Sequence, residues 1–260
     1  MIKRIYLSAL TLITIGCVIY GTSRIFGGVS VGDKVTNVEE SALLDKYTQL
    51  DIDMDVSDID IVKGTEYRLD YSGTDNLEFS YKVDNGVLKI TQKQKVIVFG
   101  NSGASLTLTV PQDAVLERAD ITSDVGDIRI EEMDVDTYIS DADVGDTKIY
   151  RSSIKNIELE SNTGDVTITE CELGRADIQS DVGEVKVEKG NFENLDIESD
   201  VGDVVIESEK SLETYGFDLE TDVGNVEINN NEMGKSYDTG NSDRKIKVTG
   251  NVGDIKVTYQ

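Results

Sequence analysis

The chain has 260 residues, a net charge of −26, no histidine, no tryptophan, and one proline against 23 glycines. Without histidine the commonest general base, the Ser-His and Cys-His nucleophile pairs and the usual zinc ligand are all missing, and the acidity excludes nucleic acid as a partner by repulsion. Hydrophobic residues make up 38% and aromatics 6%, so the core must be built from Val, Ile and Leu, which suits strands better than a helical bundle.

Residues 1–26, MIKRIYLSALTLITIGCVIYGTSRIF, put two basic residues before an apolar stretch. As a helix, Ile5–Phe26 would span about 33 Å, close to the thickness of a bilayer core. Lys3 and Arg4 favour the N-terminus inside and the acidic body outside. Three fates compete: a retained single-pass transmembrane anchor, a signal peptide cleaved near Gly21-Thr22-Ser23, or a lipidated Cys17. Each places the body outside the cytoplasm, held at or released from the cell membrane. Residues 27–35 read as a short linker.

Residues 36–115 carry alternating stretches. LDIDMDVSDIDIVKG (50–64) echoes the later DIESDVGDVVIE (196–207), with Ser57 where a glycine would stand. NGVLKITQK and SLTLTVPQD are two further alternating strands, the first opened by an Asn85-Gly86 turn. This region is expected to form a degenerate β cap that closes an open sheet edge.

From residue 116 onward a five-residue phrase recurs. SDVGD occurs at 123 and 199, with near-copies ADVGD, SNTGD, SDVGE, TDVGN and GNVGD. The central glycines Gly126, Gly145, Gly164, Gly183 and Gly202 lie 19 residues apart, and Gly224 and Gly253 follow after 22 and 29. A fixed period near 20 marks a solenoid. Apolar or small residues recur seven, five, three and one before each glycine, then two, four and nine after it. The alternation reads as one inward face. The change of phase across V-G-D predicts a corner joining two short strands, followed by a looser return. Glycine supplies the backbone freedom and Asp the turn chemistry. The predicted fold is all-β: a parallel β-solenoid of about seven 19-residue rungs over 116–260, with the late gaps as loops bulging from one corner.

The stacked S-x-x-G-D-(I/V)-x-(I/V) units, preceded by the strand Leu106-Thr-Leu-Thr-Val-Pro111, resemble the bacterial β-strand-repeat family labelled "putative adhesin", of unknown function. The resemblance covers about residues 36–260. It implies a single N-terminal membrane anchor, as in some members, and an association with cell-envelope stress systems of Gram-positive bacteria. It brings no catalytic residues. The chain departs from the pattern at Ser140, where an aliphatic residue is usual, and in its two late insertions.

Two sets of residues are candidates for chemistry. Asp124, Asp127, Asp143, Asp146, Asp165, Asp181, Asp200 and Asp203 flank the corners and would line up about 5 Å apart if rungs stack. They could hold Ca²⁺, although neither the glycine-rich nonapeptide of calcium β-rolls nor an EF-hand loop is present; the alternatives are loose association of cations and plain turn chemistry. Tyr215 and Tyr237, in the late loops, could contact a partner or simply pack there. Cys171 reads as a half-buried thiol without a reactive role. The functional expectation is a non-enzymatic extracytoplasmic binding or scaffolding module, attached to the membrane through its N-terminal helix and disposed towards a protein or cationic peptide partner. A surface adhesin or Ca-dependent structural protein is the alternative. A carbohydrate-active enzyme is disfavoured by the scarcity of aromatics. No organic cofactor is expected.

Overall fold

The structure is a computed structural model and describes residues 36–94, 103–240 and 242–260. The anchor or signal segment and the linker therefore lie outside the described residues. Among the described residues all regular structure is β, in one 12-stranded and one 11-stranded sheet.

The middle of the stack repeats one unit. A long strand such as Val115–Val125, Asp134–Val144 or Ser153–Thr163 is followed by a short one, Ile128–Glu131, Thr147–Tyr150 or Val166–Thr169. Long strands pair in parallel with long, short with short, always in a register of 19: Tyr138 faces Ala119 and Ile157, and Ile149 faces Ile130 and Ile168. Val, Ile and Leu at the inward positions therefore stack on their own counterparts along the whole core, which lies between the two sheets. Burying such continuous columns is the main source of stability in a solenoid, where each unit touches only its neighbours.

The return between units is tighter than the expected loose path. Glu132, Arg151, Glu170 and Lys189, six residues after each glycine, take left-handed φ values of 44–59°, and the next long strand starts two residues later. Their charges alternate along the stack, and Arg151 pairs with Glu132, and Lys189 with Glu170. The column one residue further on runs Met133, Ser152, Cys171 and Gly190; the three side chains in it are buried. Cys171 is thus fully inside, and burial raises its thiol pKa to about 11.

At both ends the chain order and the stack order part company. Asn191–Val201 does not pair with the next long strand in sequence. It pairs with Lys245–Val252, through Ile197 and Val248, and Gly216–Val223 lies on the far side of that strand, Leu219 facing Val248. The short strands follow the same order, Ile255–Tyr259 between Val204–Ser208 and Val226–Ile228. The last rung in sequence is therefore slotted between the two before it. The late insertions do not simply bulge. The first carries the chain past one vacant rung, and the second brings it back. Within the second, Asn231–Gly234 and Ser236–Asp238 add antiparallel to the outermost rung.

The other end mirrors this. Gln49–Val56 and Asp58–Gly64 sit between the Gly126 rung and an outer rung made of Val87–Gln94 and Ser105–Pro111. Antiparallel strands Arg68–Thr74, Asn37–Leu43 and Leu77–Asp84 then finish the sheets. Asn85 and Gly86, both at positive φ, make the two-residue hairpin into Val87, the geometry that Asn-Gly favours. The parallel stack thus holds nine rungs among the described residues rather than seven, about 38 Å along its axis at 4.8 Å per rung.

Two buried polar groups tie the first rungs together. The Gln92 side-chain amide donates to Val56 O (2.8 Å) and accepts from Val56 N (3.0 Å), standing in for a strand partner. The Lys63 ammonium, almost wholly covered, donates to the carbonyls of Gln112 (3.1 Å) and Ala114 (2.8 Å) and pairs with Asp134 at 3.5 Å. It fixes the turn after Pro111.

Candidate functional site: the D-V-G-D edge

At each corner the residue three before the glycine is the last inward one. Ser123, Ser161, Ser180 and Ser199 are buried there, and two after the glycine a Val or Ile, or Thr147 after Gly145, resumes the core. The four residues between, D-V-G-D in the commonest form, all face outward. This corrects the expected inward valine. Val125, Val144, Val182, Val201, Val223 and Val252 are 41–60% exposed. The two walls converge at this edge, where the middle corners carry the small Ser123, Ala142, Ser161, Ser180 and Ser199 and the outer ones the larger Met54 and Thr221, all buried. The hydroxyls of Ser123, Ser161 and Ser180 have no protein partner, whereas Thr221 Oγ1 donates to Gly253 O at 2.9 Å.

Glycine is required twice over. The six glycines from Gly126 to Gly224, and Gly253, have φ of 141–154°, a region closed to side chains. A Cβ on Gly145 or Gly164 would also lie 2.1 or 1.9 Å from the carbonyl oxygen of the glycine one rung below. That closeness comes from the ladder, in which Gly145 N–H donates to Thr163 O and Gly164 N–H to Val182 O at 2.9 Å. Ser57 begins the column, with its carbonyl under Gly126.

The acid after the glycine has a defined partner. Asp58 Oδ1 accepts from Asp127 N–H, Asp127 from Asp146, Asp146 from Asp165, and Asp165 from Glu184, all at 2.9–3.0 Å. Beyond, Asp203 accepts from Asp254 and Asp254 from Asn225, both at 2.8 Å. Glu184 is the one interruption. It is a methylene longer, and no hydrogen bond joins it to Asp203 N–H among the described residues. Asp146 lies below the usual carboxylate range because Lys148 donates to it at 2.7 Å, helped by the Asp165 N–H and opposed by burial.

The acid two before the glycine has a different setting. Along the stack this row reads Asp55, Asp124, Asp143, Asn162, Asp181, Asp200, Asn251, Asp222. Asn162 donates to Asp143 and Asn251 to Asp200, at 2.5 and 2.6 Å. Partial burial, then the charges of Asp55 and Asp143, raise the Asp124 pKa above its ordinary value, Lys93 opposing. Among the described residues no lysine or arginine side chain pairs with Asp124, Asp143, Asp181, Asp200 or Asp222, although the sheet faces carry pairs such as Arg129–Glu131, Lys186–Glu188 and Lys247–Asp196.

The eight Asp residues singled out from sequence thus fall into two rows on one edge. No group of three or more acidic or cysteine side chains among the described residues converges as a metal ion needs. The tyrosines lie elsewhere. Tyr215 is buried, donates its hydroxyl to Phe192 O and lies under Arg244. Tyr237 is half-buried against Phe217. The exposed valine row and the carboxylate-to-amide ladder are what sequence reading missed. The recurrent V at one position, broken only at Thr163, and the recurrent D at another, replaced by Glu184 and Asn225, were the available signals.

Residues 47–232 match the family model described as Toastrack DUF4097. Among solved structures, a "putative adhesin" of Bacteroides fragilis NCTC 9343 is 15% identical, with a TM-score of 0.55 over 88% of this chain and 98% of that one. A "putative adhesin" and a "putative lipid binding protein", both of Parabacteroides distasonis ATCC 8503, are 11% and 13% identical, with TM-scores of 0.43 and 0.40. They cover 87% and 86% of this chain and 98% and 96% of their own. No curated protein matches the sequence. The Bacteroides fragilis structure shares the fold, and the family match spans most of the stack, including the Ser57 corner and the corners from Gly126 to Gly224: the chain belongs to the Toastrack DUF4097 family.

Proposed function

We propose that the chain is a non-enzymatic, adhesin-like binding module held outside the cytoplasm by its N-terminal apolar segment. The observation that carries this reading is the D-V-G-D edge, a linear array of closely similar exposed units on a stiff scaffold. Repeat proteins use such extended surfaces to bind, since one unit's contact is multiplied along the stack. The neighbouring adhesin-named structure is consistent with a binding role. The finer reading is that binding reports on the state of the cell envelope, in keeping with the context the resemblance implies.

The test uses bacterial cells producing the full chain. Protease added to intact cells should remove the acidic body, and the purified full chain should bind isolated envelope and leave its polymers uncut by mass spectrometry. A protected body, or release of cleaved polymer, contradicts the proposal. Loss of an envelope-stress reporter response on deleting the gene tests the finer reading separately.

A further inference from the structure

We infer that the D-V-G-D edge is a docking surface for a cationic amphipathic helix of a partner protein or peptide, lying along the stack axis. This rests on the binding-module reading and names its partner. The first observation is the valine row. Val125, Val144, Val182, Val201, Val252 and Val223 lie in one register, each 41–60% exposed, with Thr163 between Val144 and Val182. Folding does not require valine there. Thr163 occupies the same place in the same ladder, so a β-branched polar residue meets the backbone's needs. An exposed apolar stripe rimmed by polar groups, here broken once by Thr163, is a mark of an interaction site.

The second observation is charge. Among the described residues the stripe runs between two acidic rows: in the one before it Lys93 pairs with Asp55 at the Ser57 corner, while Asp124, Asp143, Asp181, Asp200 and Asp222 have no lysine or arginine partner, and in the one after it Lys148 pairs with Asp146. A partner that covers valine must also neutralise carboxylates on both flanks. A second copy of this edge would place acid against acid and is excluded by repulsion. An extended strand offers its side chains to two opposite faces and would put one face only on the edge. A helix with an apolar stripe bordered on both sides by Lys or Arg matches all three rows. Its turns recur every 5.4 Å, against about 4.8 Å per rung, so the seven rungs from Val125 to Val223 span about 29 Å, a little over five turns.

The test is titration of the full chain, in uncharged detergent, with an 18-residue Leu/Lys amphipathic helical peptide, a peptide of the same composition without the stripe serving as control. One variant combines Val144→Thr, Val182→Thr and Val201→Thr. Another combines Asp143→Asn, Asp181→Asn and Asp200→Asn. Thr163 and Asn162 show that both changes suit the fold. Saturable binding of the striped peptide, weakened at least tenfold in each variant and by added salt, supports the inference. Equal binding of the control peptide, or affinity unchanged in either variant, overturns it. Envelope binding that survives in both variants also overturns it, while leaving the broader binding reading in place.

Discussion

At the scale of single residues, the corner is governed by backbone proximity. Gly164→Ala would place a methyl against Gly145 O in a φ region hostile to side chains. The expected cost is about 3 kcal/mol or more in denaturant unfolding. The opposite sign is expected at Ser161, whose buried hydroxyl has no protein partner. Ser161→Ala should be neutral or stabilising by about 1 kcal/mol. The carboxylate ladder gives a sharper case. Glu184→Asp shortens the one acid that does not reach the next amide, and should stabilise by about 1 kcal/mol. Unchanged stability would show that the ladder bonds contribute nothing.

Protonation acts in opposite directions in the two rows. Asp146 is depressed, so its contribution is present above the unfolded carboxylate pKa and lost as pH falls through the lower folded value. Asp124 is raised, so its ionisation opposes folding, and acid relieves that cost from the folded pKa downward. Asp124→Asn should therefore stabilise at pH 7 by about a few tenths of a kcal/mol after solvent screening. The gain should vanish at a pH below the ordinary Asp range, near 3. A gain that persists there would remove the charge explanation.

Among elements, the last rung has a special place. Lys245–Val252 and Ile255–Tyr259 fill the gap between rungs that are earlier in the chain. Deleting residues 245–260 strips hydrogen-bond partners from both neighbours. The outermost rung and its antiparallel strands should then detach, seen as loss of protection over residues 216–238 in hydrogen exchange, with the Gly145 and Gly164 rungs retained. The 19-residue period, the inward positions of both walls, Ser57 as a corner and the Asn85-Gly86 turn were all legible, because each depends on local spacing. The exchanged rung order was not. A longer gap records only that the chain has farther to go, and which sheet edge it returns to depends on pairings distant in sequence. The direction of the corner valine was also hidden. Alternation predicts inward until the walls converge, and convergence is a property of the stack. The Asp-to-amide bonds were invisible for the same reason, since donor and acceptor lie on successive rungs.

For the whole molecule, the question is whether two acidic rows on one edge make a metal site or a stacked corner with an exposed face. A net charge of −26 means that any salt should raise the melting temperature by screening. Calcium and magnesium are expected to act alike at equal concentration, and a calcium-specific rise would point to a site. The most direct measurement is amide hydrogen exchange at Gly145, Gly164 and Gly183 and at Asp146, Asp165 and Glu184, with and without calcium. Protection equal to that of the core strands, unchanged by calcium, is the expected result, because these amides are held by the rung above or the carboxylate below. Rapid exchange that slows only when calcium is added would show that the corners are ordered by metal and not by stacking.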